Sequence, residues 1–383
     1  MSTPARAAIA GIGATEFSKD SGRSELRLAA EAVRAALADA GLTPADVDGM
    51  VTFTMDTSPE ITVAQACGIG GLSFFSRVHY GGGAACATVQ QAAMAVASGA
   101  AEVVVCYRAF NERSGRRFGA GVRHSEATAE GVALGWVMPA GLLTPASWVA
   151  MAARRYLHAH GLTPEVFGHV AVAARRYAAA NPAAHFHGRP ITLADHAASR
   201  WIAEPLRLLD CCQETDGGQA LVVTSLDRAR DLPRPPAVIA AAAQGGAGRG
   251  QEQLTGFHRG DPAVLEEARV VARQLWRGAG LGPGEIDVGI LYDHFTPFVL
   301  MQLEAYGFCG PGEGAAHVAE ERLPLNTHGG QLGEAYLHGM NGVAEAVRQL
   351  RGTAVNQVAG AERVLVTAGT GVPTSGLVLA ADD

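Results

Sequence analysis

Two short stretches concentrate side chains able to move protons. One is "ILYDHF", Ile290 to Phe295, where Tyr292, Asp293 and His294 stand in a row; the other is "NTHGGQLGEAYLHGMNG", Asn326 to Gly342, which holds Asn326, His328, Tyr336 and His338. A phenol with an unperturbed pKa near 10 serves as a general acid, or as a base once neighbouring donors activate it. Asp293, His294, His328, His338 and Asn326 are the groups placed to tune the two tyrosines. The plain alternative is a packing ring with its hydroxyl satisfied, common for a tyrosine beside a glycine-rich helix start. Imine chemistry has almost no support, because the only lysine, Lys19, lies in the polar "FSKDSGR" loop.

The elements that must position these side chains come in duplicate. An Ala-rich amphipathic stretch from Glu25 runs into "AGLTPADVDGMVTFT", and another from Leu265 runs into "AGLGPGEIDVGILYD". Each reads as helix, glycine stop, proline-containing turn and apolar strand. A second pair follows: "GGGAACATVQQAAMAVASGAAEVVVCYR" from Gly81, and "HGGQLGEAYLHGMNGVAEAVRQLRG" leading to "VAGAERVLVTAGTG". Both begin with a glycine cluster, continue as a helix and end in an apolar strand. The pattern predicts an α/β chain of two repeated halves, 1–235 and 236–383, with the boundary in the Pro-rich, charged linker at Pro233 to Pro236. The first half carries extra material over about 109–204, expected to be a lid or substrate-facing subdomain. "GIGATE" at Gly11 lacks the third glycine and the following helix of a dinucleotide fingerprint.

Composition narrows the ligand. With 383 residues and 48% apolar content the chain can bury a sizeable core. A net charge of −7 offers no basic stripe for nucleic acid. No run of about 18 apolar residues predicts a membrane span and no leader opens the chain, so a cytoplasmic location is expected. The six cysteines, Cys67, Cys86, Cys106, Cys211, Cys212 and Cys309, lack paired metal spacing and read as reduced thiols. "HFHG" at His185 reads as an exposed loop. The Arg-rich "YRAFNERSGRRFGAGVRH" from Tyr107 reads as a solvated or dimer-facing loop rather than a phosphate clamp.

Taken in order, "AIAGIGATEFS", "QAAMAVASGAAEVVV", "QETDGGQALVV", "ILYDHF" and "NTHGGQLGEAYLHGMNG" resemble the thiolase superfamily, in its sterol-carrier and lipid-transfer branch, over nearly the whole chain. The resemblance implies a thiolase-like five-layer αβαβα fold, a homodimer and a coenzyme A thioester as ligand, with no tightly bound cofactor and no metal in this chain. It also marks departures. The position of the family's nucleophilic cysteine, at a helix N-terminus that would lower its pKa, falls on Gly82, flanked by Gly81 and Gly83. Cys86, one turn further on, is displaced by about 5 to 6 Å along the axis, too far for attack at roughly 3 to 3.5 Å. Tyr292 and Tyr336 stand where the family carries histidines. The terminal loop "TAGTGVPTSG" has no thiol.

Claisen chemistry by the family's usual route is therefore closed. What remains is a thioester enolate formed without an acyl-enzyme, and retro-aldol cleavage of a β-hydroxyacyl-CoA fits. Tyr292 and Tyr336 form the expected acid/base pair, in an order the residues leave open. Asp293, His294 and His338 are expected beside them. Gly82, Gly83, Asn326, His328 and Gly371 are expected to hold the thioester oxygen. "YDHF" with "HGGQLGEAY" is most similar to the steroid side-chain-cleaving aldolases. That resemblance implies a 17-hydroxy steroid bearing a short CoA-thioester side chain as substrate, and a 17-keto steroid and propionyl-CoA as products. It further implies a small zinc-ribbon and OB-fold partner completing a heterotetramer, with any zinc held by the partner. The alternatives are a non-catalytic lipid or acyl-CoA carrier and a thiolase using Cys86.

Overall fold

The first helix of each half is written the same way. Glu25–Ala40 starts on Ser24, whose side chain accepts from the Arg27 amide, and Glu266–Ala279 starts with two acidic residues; they stop at Gly41 (φ 69°) and Gly280 (φ 68°), left-handed positions that favour glycine. In the computed structural model, which describes residues 7–79, 81–115, 117–121, 129–248, 259–369 and 374–382, these helices pack on one large mixed sheet.

Eleven strands are present among the described residues: β1 (Ala7–Ala14), β2 (Gly49–Phe53), β3 (Phe74–Val78), β4 (Val103–Asn111), β5 (Trp201–Ala203), β6 (Leu206–Arg207), β7 (Asp216–Ser225), β8 (Ala237–Gly245), β9 (Val288–Ile290), β10 (Arg363–Ala368) and β11 (Thr374–Ala380). Nine form the main sheet in the order β3-β2-β4-β7-β1-β8-β11-β10-β9, and β5 and β6 form a separate ribbon. The order β2-β4-β7-β1 is repeated as β9-β10-β11-β8. In each run the first pair is parallel and the next two are antiparallel. The halves meet where β1 pairs β8, through Ala8 with Val238 and Ile9 with Ala237. That junction makes one continuous sheet out of the two repeats.

Alternation along the strands decides which layer each face meets. Val104 and Cys106 face a core shared with Leu377, Leu379 and the helices Ala85–Ser98 and Met340–Leu350. Val103, Val105 and Tyr107 face the opposite way, into a core built on helix Glu25–Ala40. The second half repeats this with helix Glu266–Ala279 over Ala241, Leu365 and Val378. Two central helices thus lie between two sheet halves, each backed by outer helices.

Material between β4 and β7 forms helices that include Pro145–His160 and Phe167–Ala180. Their apolar faces, with Val149, Tyr156, Phe167 and Val170, share a core with Phe298, Leu300 and Leu303 of the second half. Helix Phe167–Ala180 also brings Asn181 to the back of the "HGGQLGEAY" segment, where its side chain donates to the His328 carbonyl at 2.9 Å and to Glu334 at 3.1 Å. This material is part of the scaffold beneath the site. Tyr107 and Arg108, expected in a solvated or dimer-facing loop, are instead buried inside β4, because the apolar run of Val, Cys and Tyr carries the strand through the arginine to Asn111.

Candidate active site

Strand β9 is short, and side chains from neighbouring segments fix its continuation. Asn326 brackets Leu291, accepting from its amide at 2.7 Å and donating to its carbonyl at 3.0 Å. The Tyr292 amide donates to Thr367 Oγ1 at 2.9 Å, and the Tyr292 carbonyl accepts from Gln302 Nε2 at 2.8 Å. The Thr367 hydroxyl closes this network by donating to Gln302 Oε1 at 2.6 Å. Tyr336 is tied down separately, its amide donating to Thr215 Oγ1 at 2.8 Å. The two phenol oxygens meet 3.0 Å apart.

The triplet Gly81–Gly83 leads into helix Ala85–Ser98, whose N-cap residue Ala84 has no capping side chain and whose Ala87 amide donates to the Ser375 hydroxyl at 3.1 Å. A Cβ on Gly82 would lie 2.4 Å from the Tyr292 hydroxyl. Glycine at 82 and tyrosine at 292 are therefore one coupled choice, since the phenol occupies the space a side chain there would need. Gly83 packs against Gly369, and its carbonyl accepts from the Ser375 hydroxyl at 2.6 Å. Gly371 lies outside the described residues.

Burial pushes both phenols above their ordinary pKa. Tyr292 is buried, whereas Tyr336 is only part-buried. Glu112 stands just past the end of β4, within electrostatic reach of both phenols. Burial, with Glu214 beside it, holds its carboxyl well above the usual carboxylate range. Its Oε2 is buried with no hydrogen-bond partner.

The remaining expected residues divide by what they touch. Asp293 turns away from the phenols and caps the short helix Gly330–Gly333, accepting from the Gln331 amide at 2.8 Å and more weakly from Leu332 at 3.4 Å. Asn326 is fully engaged with Leu291, and His328 lies behind the site with Nε2 3.9 Å from Glu334. Asp293 and Asn326 hold backbone in place, whereas the His328 ring lies near the Glu334 side chain. His294 stacks on Phe298 with ring centroids 5.0 Å apart, and burial pushes it down to about 3. Both histidines belong to the pair's surroundings, the ring centroid of His294 4.9 Å from that of Tyr292 and the ring centroid of His338 4.8 Å from that of Tyr336. The Cys86 thiol points into the core toward the Val366 carbonyl, and burial pushes it up, so it cannot replace the missing nucleophile.

Sequence reasoning missed Arg108, Asp56 and Glu112. Arg108 donates to Nδ1 of His338 from Nε and Nη2, both at 3.2 Å, and its Nη1 meets Asp56 at 2.5 Å. The available signal was an arginine inside the apolar run "VVVCYRAF". Glu112 had no comparable mark. Among the described residues no group of three or more His, Cys, Asp and Glu side chains is arranged to hold a metal, and no helix is long and apolar enough to cross a membrane.

Residues 7–227 match the family described as thiolase, N-terminal domain, and residues 248–380 match the thiolase C-terminal domain-like family. A steroid side-chain-cleaving aldolase of Thermomonospora curvata is 64% identical over 387 residues, covering 99% of each chain. The 17-hydroxy-3-oxo-4-pregnene-20-carboxyl-CoA lyase of Mycobacterium tuberculosis is 64% identical over 382 residues, covering 98% of this chain and 99% of that one. A solved structure described as Ltp2-ChsH2(DUF35) aldolase superposes with a TM-score of 0.94 at 64% identity, covering 99% of this chain and 98% of the other. From its paired halves and the glycine-led helix at the centre to these matches along its length, the chain belongs to the thiolase family.

Proposed function

We propose that this protein is a carbon–carbon lyase that cleaves 17-hydroxy-3-oxo-4-pregnene-20-carboxyl-CoA, or a close relative of it, to a 17-keto steroid and propionyl-CoA. The observation that carries this reading is the hydroxyl pair of Tyr292 and Tyr336, 3.0 Å apart beside a glycine where the family's nucleophile would stand. The 64% identity to two proteins named for this kind of cleavage supports it.

The chemistry follows from the pair. Tyr336 takes the proton of the C17 hydroxyl as it passes its own to Tyr292 across their hydrogen bond, so that neither phenol is ever doubly protonated. The oxygen's electrons form the ketone, the C17–C20 bond breaks, and its electron pair moves into the thioester as an enolate. Tyr292, beside Gly82, gives its proton to C20 and recovers one from Tyr336 across their hydrogen bond. The substrate's hydroxyl proton is in effect delivered to the carbon it leaves behind, so each turnover ends with both phenols neutral. Backbone N–H groups at the Gly82–Gly83 turn stabilise the enolate oxygen.

Asp293 and Asn326 position the two tyrosine-bearing segments in this scheme. The relative described as Ltp2-ChsH2(DUF35) aldolase is a complex, which supports a small partner for this chain too. We place a zinc-ribbon and OB-fold protein in that role, on a homodimeric core working in the cytoplasm.

The test is product analysis with that CoA thioester, using the protein together with the small partner it co-purifies with. Androst-4-ene-3,17-dione and propionyl-CoA are expected in equal amounts. Tyr292→Phe and Tyr336→Phe should each lose about 10²- to 10⁴-fold in kcat while keeping the wild-type circular dichroism. Intact substrate with the partner bound would sink the steroid assignment, and full activity in both variants would sink the tyrosine pair.

A further inference from the structure

We propose that Arg108 is a positioning residue that locks His338 as a neutral Nε2–H donor, and that this N–H supports the thioester oxygen as the enolate forms; the second half of this inference rests on the reaction proposed above. A guanidinium stays protonated and can only donate. Two of its N–H groups, on Nε and Nη2, point at Nδ1 of His338 at 3.2 Å, so Nδ1 must accept and the ring proton must sit on Nε2.

Arg108 has no freedom to turn elsewhere. It is 1% exposed, its Nη1 meets the buried Asp56 carboxylate at 2.5 Å, and it lies over the Phe110 and Phe53 rings at 4.5 and 5.5 Å. Asp56 is held in turn by the Thr52 hydroxyl at 2.7 Å and the Ala109 amide at 3.2 Å. The chain thus runs from the β2 end through β4 to the loop carrying Tyr336.

The other edge of the ring faces the glycine turn. Nε2 of His338 lies 3.2 Å from where a Cβ on Gly81 would be, next to the residue whose own Cβ would strike the Tyr292 hydroxyl. His338 reaches this place through a left-handed backbone (φ 52°), unusual for a residue with a side chain and characteristic of sites where a side chain must be aimed. Among the described residues, the charged and titratable groups acting on the ring include Arg108 on β4, with Asp56 behind it, His294, and Tyr336 two residues before it. Arg108 and His294 both oppose a second proton, and burial acts in the same direction. A ring so held donates at any physiological pH and cannot exchange a proton with substrate.

Two measurements test this. The first is ¹⁵N NMR of protein labelled at histidine, with the His338 signals assigned by their loss in His338→Gln. A single neutral Nε2–H tautomer from about pH 6 to pH 9 is expected, with Nδ1–H becoming populated in the charge-balanced variant Arg108→Met/Asp56→Leu. A proton on Nδ1 in the wild type, or titration within that range, overturns the lock without reference to any substrate. The second is kinetics on the same CoA thioester. His338→Leu should lose about 10²- to 10³-fold in kcat with little change in KM, whereas His338→Gln, whose amide can still donate, should stay within about tenfold of wild type. Folded His338→Leu with wild-type kcat overturns the donor role. Wild type with the expected tautomer but no turnover overturns the reaction and leaves the lock intact.

Discussion

Two phenols that share a proton need no ionised form at rest, and this sets their pH dependence. Burial places Tyr292 and Tyr336 above the ordinary 10.0 and His338 well below the ordinary 6.5. Between these limits none of the three changes charge, so kcat/KM should be flat from about pH 6.5 to 9. A tyrosinate base would instead give a rate rising about tenfold per pH unit, and that slope in steady-state assays would exclude the shared-proton scheme. Glu112 carries a second pH signature, in stability. Its folded pKa is raised above the unfolded 4.5, so as pH climbs past 4.5 the unfolded chain loses a proton that the native protein retains. Stability then falls by about 1.4 kcal/mol per pH unit until the folded carboxyl also ionises. Glu112→Gln should match wild type in urea unfolding at pH 4 and exceed it at pH 8; equal midpoints at both would show that the carboxyl is not held protonated. At this scale the sequence pointed to Tyr292 and Tyr336, whose hydroxyls the fold brings 3.0 Å apart. It was silent on Glu112 and Asp56, because only the fold brings residues 56, 108, 112 and 338 to one point.

At the scale of elements, Asp293 shows how a motif residue can matter without doing chemistry. In "YDHF" it stands next to Tyr292 and reads as a group that tunes it, and its carboxylate caps Gly330–Gly333, the turn that carries the chain on to Tyr336. One side chain therefore couples the segment bearing the first tyrosine to the segment bearing the second. Asp293→Ala should cost about 1 to 2 kcal/mol, the range for a lost helix cap, with a modest fall in kcat and an unchanged pH profile. A loss beyond about 10²-fold with a new acidic limb would return Asp293 to the catalytic set. The elements themselves were well marked: glycine stops at Gly41, Gly99 and Gly280 end helices where the periodicity fails. The end of β4 was not, since arginine and asparagine there look like loop residues until their partners are known. The direction of the Asp293 side chain was equally hidden, because alternation in a three-residue strand is too short to set it.

At the scale of the whole molecule the two halves must hold together across a narrow seam. The repeat was legible from self-similarity alone, but how its copies join was not, because among the described residues β1 and β8 pair through Ala8–Val238 and Ile9–Ala237. Arg351, one residue past helix Met340–Leu350, reinforces that seam. Its Nη1 meets Asp39 of helix Glu25–Ala40 at 2.7 Å, its Nη2 donates to the Ala10 carbonyl of β1 at 2.8 Å, and its Nε donates to the Pro235 carbonyl of the linker at 2.9 Å. Three attachments from one side chain, itself 4% exposed, join the second half to the strand, helix and linker of the first. Asp39 also accepts from the Ile12 amide at 3.0 Å and has Arg234 at 3.5 Å, so removing Arg351 leaves the carboxylate partly compensated while two carbonyls lose a charged donor. Hydrogen bonds to charged groups contribute about 1.5 to 3 kcal/mol each, and their loss is not additive at one site. Arg351→Met, which keeps most of the apolar stem, should lower stability by about 2 to 4 kcal/mol in urea unfolding while leaving kcat near wild type, because the tyrosine pair is held by Thr367, Gln302 and Thr215 and not by the seam. A change within about 0.5 kcal/mol would mean that the shared core around the two central helices alone binds the halves. A fall in kcat without a fall in stability would mean that the seam sets the geometry of the site after all.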